Sequence, residues 1–194
     1  MAILSPTTRR RVIRPWAVLL VLLLAGGLNL PAQTAASKEY QIKAAFLFNF
    51  AQFIEWPATA FTNTDMPFRI GILGDDPFGT SLEDTVQGET IHNHKIIVQR
   101  SREIGDLKNC QLIFIDKSEK NRVADVLSEL DSKPTVTVSE IDGFARNGGV
   151  INFYLEEKKV RFEINPVAAQ NDGLKISSQL LSLGKIVQPA RGGK

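Results

Sequence analysis

Between residues 38 and 55 the apolar side chains recur at helical spacing. Phe46, Phe50, Phe53 and Ile54 mark one face, and Leu47, Phe48 and Ala51 widen it. Lys43, Asn49, Gln52 and Glu55 leave only a narrow polar edge, so such a helix must be covered on most sides. Trp56-Pro57 ends it, because proline disfavours helical conformation in the residue before it.

Shorter apolar runs follow. Phe68–Leu73 predicts a buried strand, and Gly74-Asp75-Asp76-Pro77 a turn into a helix over residues 78–86. Further strands are predicted over residues 91–100, 112–116 and 135–139. Ser118 is placed to cap a helix over residues 119–130, its hydroxyl accepting a hydrogen bond from a first-turn amide. Strands alternating with helices predict an α/β fold, a three-layer sandwich with a mostly parallel sheet and helices on both faces.

The pattern then changes to a C-terminal β-hairpin, residues 149–155 and 160–164 around Glu156-Glu157-Lys158-Lys159. This register pairs Leu155 with Val160, Phe153 with Phe162 and Ile151 with Ile164, an apolar face turned to the core. It sets Tyr154 opposite Arg161 and Asn152 opposite Glu163 on the other face, a patch that serves equally as a solvated face or a recognition surface. Asn165-Pro166 predicts an N-cap and first-position proline for a helix that Gly173 stops. Ser177 or Ser178 is expected to cap a last helix over residues 179–187, with residues 188–194 as a loose tail.

The opening of the chain has a different character. Arg9, Arg10, Arg11 and Arg14 precede the apolar run WAVLLVLLL, and small residues lead to Ala36. This order reads as an export signal over residues 1–36, cleaved near Ala36, leaving one domain over residues 37–187. The apolar run is short against the roughly 20 residues that cross a bilayer. An uncleaved anchor and twin-arginine export are the other readings. Four of the 23 basic residues and none of the 21 acidic ones precede Ser37, so the remainder carries 19 basic against 21 acidic residues, a net charge of −2. A nucleic-acid partner is not expected of such a balance.

No residue pattern supplies a catalytic constellation, and no enzyme, metal or cofactor is expected. Asp75 and Asp76 sit where a small ligand could bind in an α/β domain, at a strand's carboxyl end. An ordinary strand-to-helix turn accounts for the same residues, since two carboxylates repel a phosphate. His92 and His94 are expected on one side of a strand with no evident third ligand for a metal. Cys110, the lone cysteine, precedes an apolar run and reads as a buried, inert thiol.

Several motifs together resemble the YfiR family. They are Lys43-Ala44-Ala45-Phe46-Leu47 through Phe53-Ile54-Glu55-Trp56-Pro57, Phe68-Arg69-Ile70-Gly71-Ile72-Leu73-Gly74 and Gly148-Gly149-Val150-Ile151. Arg161-Phe162-Glu163-Ile164-Asn165 and Leu174-Lys175-Ile176-Ser177-Ser178-Gln179-Leu180-Leu181 complete the set, spanning about residues 40–187. The resemblance implies a periplasmic, non-catalytic regulator that binds the periplasmic portion of an inner-membrane diguanylate cyclase and holds it inactive. It further implies a homodimer and sequestration by an outer-membrane OmpA-like lipoprotein. Disulfides known in some members are excluded here by the single cysteine. The partner-binding residues expected on this basis are Asn152, Arg161, Glu163, Ser177 and Gln179. The other reading is a periplasmic small-molecule sensor using Asp75 and Asp76.

Overall fold

Alternation along the central strands sorts their side chains onto two covered faces. The computed structural model describes residues 30–189 except 62 and 64. Residues 1–29 of the signal expected over residues 1–36, and the end of the expected tail, residues 190–194, lie outside the described residues. Contacts divide the chain into Met1–Ala36 and Ser37–Lys194, and the fold below is that of the second unit.

Its centre is a parallel set of β2 (Phe68–Leu73), β4 (His94–Ser101), β5 (Leu112–Ile115), β6 (Val136–Ser139) and β7 (Ile151–Glu156). β8 (Lys159–Ile164) pairs antiparallel with β7, and β10 (Lys185–Ile186) lies parallel beside β8. With β3 (Thr90–Ile91) at the far edge, the spatial order is β10-β8-β7-β6-β5-β2-β4-β3. Its β4-β2-β5-β6-β7 segment is a doubly wound arrangement that reverses direction beside β2.

Phe68, Ile70, Ile72, Leu112, Phe114, Val136 and Val138 face one way, against helix α1 (Leu30–Phe53) and α2 (Ser81–Val86). Leu73, Ile113 and Ile115 face the other way, against α3 (Ile104–Leu107) and α4 (Val123–Leu130). The expected sandwich, mostly parallel sheet and C-terminal hairpin are all present. The hairpin register is the one expected, Ile151 with Ile164 through Leu155 with Val160.

Element ends differ where local chemistry competes with pattern. α1 stops at Phe53, and Ile54–Glu55 form a short strand β1 that pairs with β9 (Lys175–Ile176). The expected helix over residues 78–86 is shorter, starting at Ser81. The expected strand over residues 91–100 is a hairpin, β3 (Thr90–Ile91) and β4, whose turn places His92 and Asn93 at positive φ. Ser118 does not cap: Asp116 accepts from the Ser118 amide and opens a 3₁₀ turn, Lys117–Arg122, ahead of α4. The β7–β8 turn has two residues rather than four, Glu157 and Lys158, both at positive φ. Asn165 and Ser177 cap as expected, accepting from Ala168 and Leu180 amides to open α5 (Pro166–Asn171) and α6 (Ser178–Leu183). The last helix stops at Leu183, and the chain continues as β10.

Lys43, expected on the polar edge of α1, is instead 2% exposed. Its ammonium bonds both Glu39 and Glu140, and lies 4.5 Å from the Tyr40 ring centre. Tyr40 donates its hydroxyl to Glu140 at 2.8 Å. Burial alone would raise the Glu140 carboxyl, but hydrogen bonds from Lys43 and Tyr40, with the charges of Lys43 and Lys117, hold it below its usual value. Burial and the neighbouring Glu140 raise the Tyr40 hydroxyl. Cys110 is buried, which pushes its thiol up to about 11.

Candidate partner-facing surface

The helices do not cover the whole sheet. α3 and α4 pack against β2 and β5, and the 3₁₀ turn Phe144–Asn147 lies against β7. Beyond that turn, the outer parts of β7 and β8 and the short β10 present side chains to solvent.

Glu163 lies at the centre of this region. Its Oε1 is 3.1 Å from Lys185 Nζ and 3.6 Å from an Arg146 guanidinium nitrogen. Lys185 also sits 5.8 Å from the Tyr154 ring centre, a cation–π contact that fixes β10 against β7 and β8. Arg161 is exposed, with its Nε 3.7 Å from Glu156. Asn152 is turned inward. Its Oδ1 accepts from the Phe144 amide at 3.2 Å and its Nδ2 donates to the Phe153 carbonyl at 3.0 Å. Both ends of its amide therefore serve the fold. Ser177 spends its hydroxyl on the Leu180 amide at 3.2 Å, while Gln179, the second residue of α6, is exposed.

The expected site residues thus divide. Arg161 and Gln179 reach the surface, whereas Glu163 is buried and paired with Lys185 and Arg146, and Asn152 and Ser177 hold elements together. The apolar members went unrecognised in the sequence. Leu155 is 54% exposed, Leu183 66% and Ile186 54%, and all three belong to the hairpin, α6 or β10. Gly184 makes this edge possible, since a Cβ there would stand 2.6 Å from the Phe162 ring. The expected hairpin register turns Leu155 to the core, and a two-residue strand after a helix gives no periodic signal.

The alternative ligand residues are tied to protein cations. Asp76 accepts from Arg100 at 2.7 Å and from the Phe78 amide at 2.8 Å, and Asp75 pairs with Arg102. The Glu83 hydrogen bond, with Asp76 beside it, outweighs burial and raises the Arg100 guanidinium further; Glu83 is correspondingly lowered. Gly74 takes φ +93, and a Cβ there would lie 2.4 Å from the Ser118 hydroxyl, which accepts from the Asp75 amide. The loop after β2 is thereby tied to β4 and to the 3₁₀ turn Lys117–Arg122. His92 and His94 line one cleft with Trp56 and Phe61, each held by a carbonyl: His94 Nδ1 lies 2.6 Å from that of Met66 and His92 Nε2 3.2 Å from that of Ile54. Among the described residues no group of three or more His, Cys, Asp or Glu could hold a metal ion.

A family model described as YfiR/HmsC-like matches residues 40–185. The chain belongs to the YfiR/HmsC-like family. Among curated proteins none matches it. A solved structure with similarity is a conserved domain protein from Vibrio cholerae O1 biovar El Tor, at 10% identity and a TM-score of 0.44. That match covers 61% of this chain, and this chain spans about half, 54%, of the Vibrio protein's chain. The motifs that carry the YfiR-like resemblance hold the scaffold. Lys43 forms the buried ion pair, and Trp56 donates its indole N–H to the Gln111 carbonyl at 3.2 Å. Gly148 takes φ +107, and a Cβ on Gly149 would stand 2.0 Å from the Phe144 ring.

Proposed function

We propose that this YfiR-like chain is a periplasmic regulator that binds the periplasmic portion of an inner-membrane diguanylate cyclase and holds it inactive. Its action lowers cyclic-di-GMP and with it biofilm formation. The observation that carries the reading is the family match over residues 40–185. The basic and apolar sequence pattern over residues 1–36, read as an export signal, and the exposed apolar positions Leu155, Leu183 and Ile186 support it, since a repressor needs delivery and a docking surface. Among the described residues no helix is long and apolar enough to cross a membrane.

In this reading the docking surface is the edge of the sheet formed by the hairpin and β10, where Leu155 and Ile186 lie on the face that carries Phe153 and Ile164, and Arg161, Glu163 and Lys185 lie on the other, with Gln179 and Leu183 on α6. A second copy of the chain and an outer-membrane OmpA-like lipoprotein compete for the same protein. Repression further requires that the chain bind the inactive cyclase better than the active one.

The test is co-expression with an inner-membrane diguanylate cyclase of the same cell, reading cyclic-di-GMP and co-purification together. The expected result is lower cyclic-di-GMP with the intact chain, and loss of both readouts for Leu155→Asp with Ile186→Asp at an unchanged melting temperature. Unchanged cyclic-di-GMP with and without the intact chain rejects the function. Full capture by the double variant rejects only the surface.

A further inference from the structure

The outer edge of β4 is long and unpaired. From Ile96 to Ser101 the strand pairs with β2 on one side, whereas on the other β3 reaches only Lys95 and His94. In a parallel ladder a residue sends its N–H and C=O to the same neighbour, and successive residues alternate. The Gly74 amide donates to the Ser101 carbonyl at 3.0 Å, so Ser101, Gln99 and Ile97 turn their backbone groups to β2. Val98 and Arg100 therefore turn theirs outward, where no strand among the described residues receives them. Two common guards of such an edge are missing, since residues 96–101 contain neither a proline nor a bulge. The Arg100 side chain, the one charge in the run, is held by Asp76, Glu83 and the Gly79 carbonyl. A cleft of about 610 Å³ runs beside this edge, next to the end of α2. Val86, Ile96 and Val98 give it an apolar lining, and Glu83, Asp84 and Glu89 border it against the single cation Lys95. Glu83 is paired with Arg100, but Asp84 and Glu89 are exposed and form no ion pair among the described residues.

We propose that the β4 edge takes up an extended segment of a partner protein as an added strand, with apolar and basic side chains of that segment alternating towards the cleft. The segment's backbone completes the hydrogen bonds of Val98 and Arg100, the mode by which open sheet edges bind peptides. Its apolar groups rest on Val86 and Val98, and its lysine or arginine stems cross the same apolar surface to bring their charges to Asp84 and Glu89. Charge selects this occupant over a second copy of the chain. Two copies joined edge to edge would bring two such acidic borders to one seam, and like charges facing each other work against association. β4 lies on the opposite side of the sheet from the hairpin and β10, so the proposal is independent of the surface assigned to the cyclase and the two tests fail separately.

The experiment is fluorescence-polarisation titration of the full chain against a capped, dye-labelled peptide of two Thr-Val-Thr-Lys repeats. One control peptide carries glutamate for lysine, and another carries an N-methyl group on every backbone amide. The expected result is saturable binding of the basic peptide with a Kd below about 1 mM, and binding of both controls weaker by about tenfold or more. Val98→Pro removes an outward amide that the sheet leaves unbonded, a change an edge strand tolerates, and should abolish binding at an unchanged circular-dichroism spectrum. Asp84→Lys with Glu89→Lys alters two exposed side chains outside β4 and should turn the preference to the acidic peptide. No saturable binding up to about 1 mM overturns the proposal, as does an unchanged preference in the double lysine variant. An N-methylated peptide that binds as well as its parent also overturns it, because charge then acts without strand pairing. Self-association of the chain that Val98→Pro abolishes does the same, since the edge then belongs to a second copy.

Discussion

Replacing Lys43 with alanine tests how far one buried ion pair supports the fold. Lys43 is 2% exposed, and its partner Glu140 has a 5% exposed side chain. Alanine removes the ammonium and most of the buried stem. Glu140 then keeps the Tyr40 hydroxyl at 2.8 Å and Lys117 at 3.3 Å, but the Lys117 side chain is 63% exposed and water screens it. Removing one partner of a buried pair costs about 3–5 kcal/mol. The surviving contacts set this case near the lower end, about 3 kcal/mol. With a urea dependence of about 2 kcal/mol per M, the unfolding midpoint falls by about 1.5 M.

Two controls separate charge from packing. Lys43→Met restores the apolar stem but leaves Glu140 without its ammonium, so it recovers little. Lys43→Met with Glu140→Leu removes both charges and should regain most of the loss, because a buried pair replaced by apolar groups is often neutral. The pH dependence has a definite sign. Glu140 has its folded value lowered, so its contribution is full above the unfolded value of 4.5 and fades as pH falls through the folded value. The gap between native and Lys43→Ala proteins should therefore narrow in acid. A midpoint shift below about 0.5 M, or a double variant no better than Lys43→Ala, refutes this reasoning.

Three further outcomes are expected. Gly149→Ala should lower stability by about 2 kcal/mol, the scale of overpacking, because its Cβ would stand 2.0 Å from the Phe144 ring; a melting temperature equal to the native one contradicts this. Asp172→Asn should stabilise the protein at pH 7 by about 1 kcal/mol, after allowing for partial exposure. Its folded value is raised to about 6 from 3.8, so the native state binds more protons and stability falls between those values as pH rises; the gain should vanish near pH 3, and a gain that persists there opposes the assignment. Cys110, buried with a thiol near 11, should resist a thiol reagent at pH 8 until urea unfolds the chain, and immediate labelling of the folded protein contradicts that burial.

The layers of this fold were legible because each rests on a repeated pattern. Phe68–Leu73 and Leu112–Ile115 are continuous apolar runs, as strands covered on both faces must be. The hairpin register followed from the pairing of Ile151, Phe153 and Leu155 with Ile164, Phe162 and Val160. What escaped was set by single contacts between distant residues. Nothing beside Lys43 announces Glu140, 97 positions away. Likewise, the turn at His92 and Asn93 depends on two left-handed residues inside an otherwise strand-like run, a conformation asparagine tolerates better than most. Asp116 outcompeted Ser118 for the cap because it stands one residue before the turn begins, with its carboxylate 2.8 Å from the Ser118 amide.

The same contrast bears on how much family membership can say about partners. Lys43, Trp56, Gly148, Gly149, Asn165 and Ser177 each have a demand internal to the domain: an ion pair, an indole hydrogen bond, a left-handed turn, a ring with no room for a Cβ, or a helix cap. A motif built from such residues reports the scaffold. Leu155, Leu183 and Ile186 meet no such demand, since about half or more of each is open to water. Exposure of that kind gains nothing for the isolated domain and leaves these positions free to be shaped by whatever docks there. In the proposed role, specificity for one partner over another is therefore expected to lie at these positions and at Arg161. Exchanging them between two family members should exchange partners without altering stability, whereas exchanging Lys43 or Gly149 should alter stability without altering partner choice.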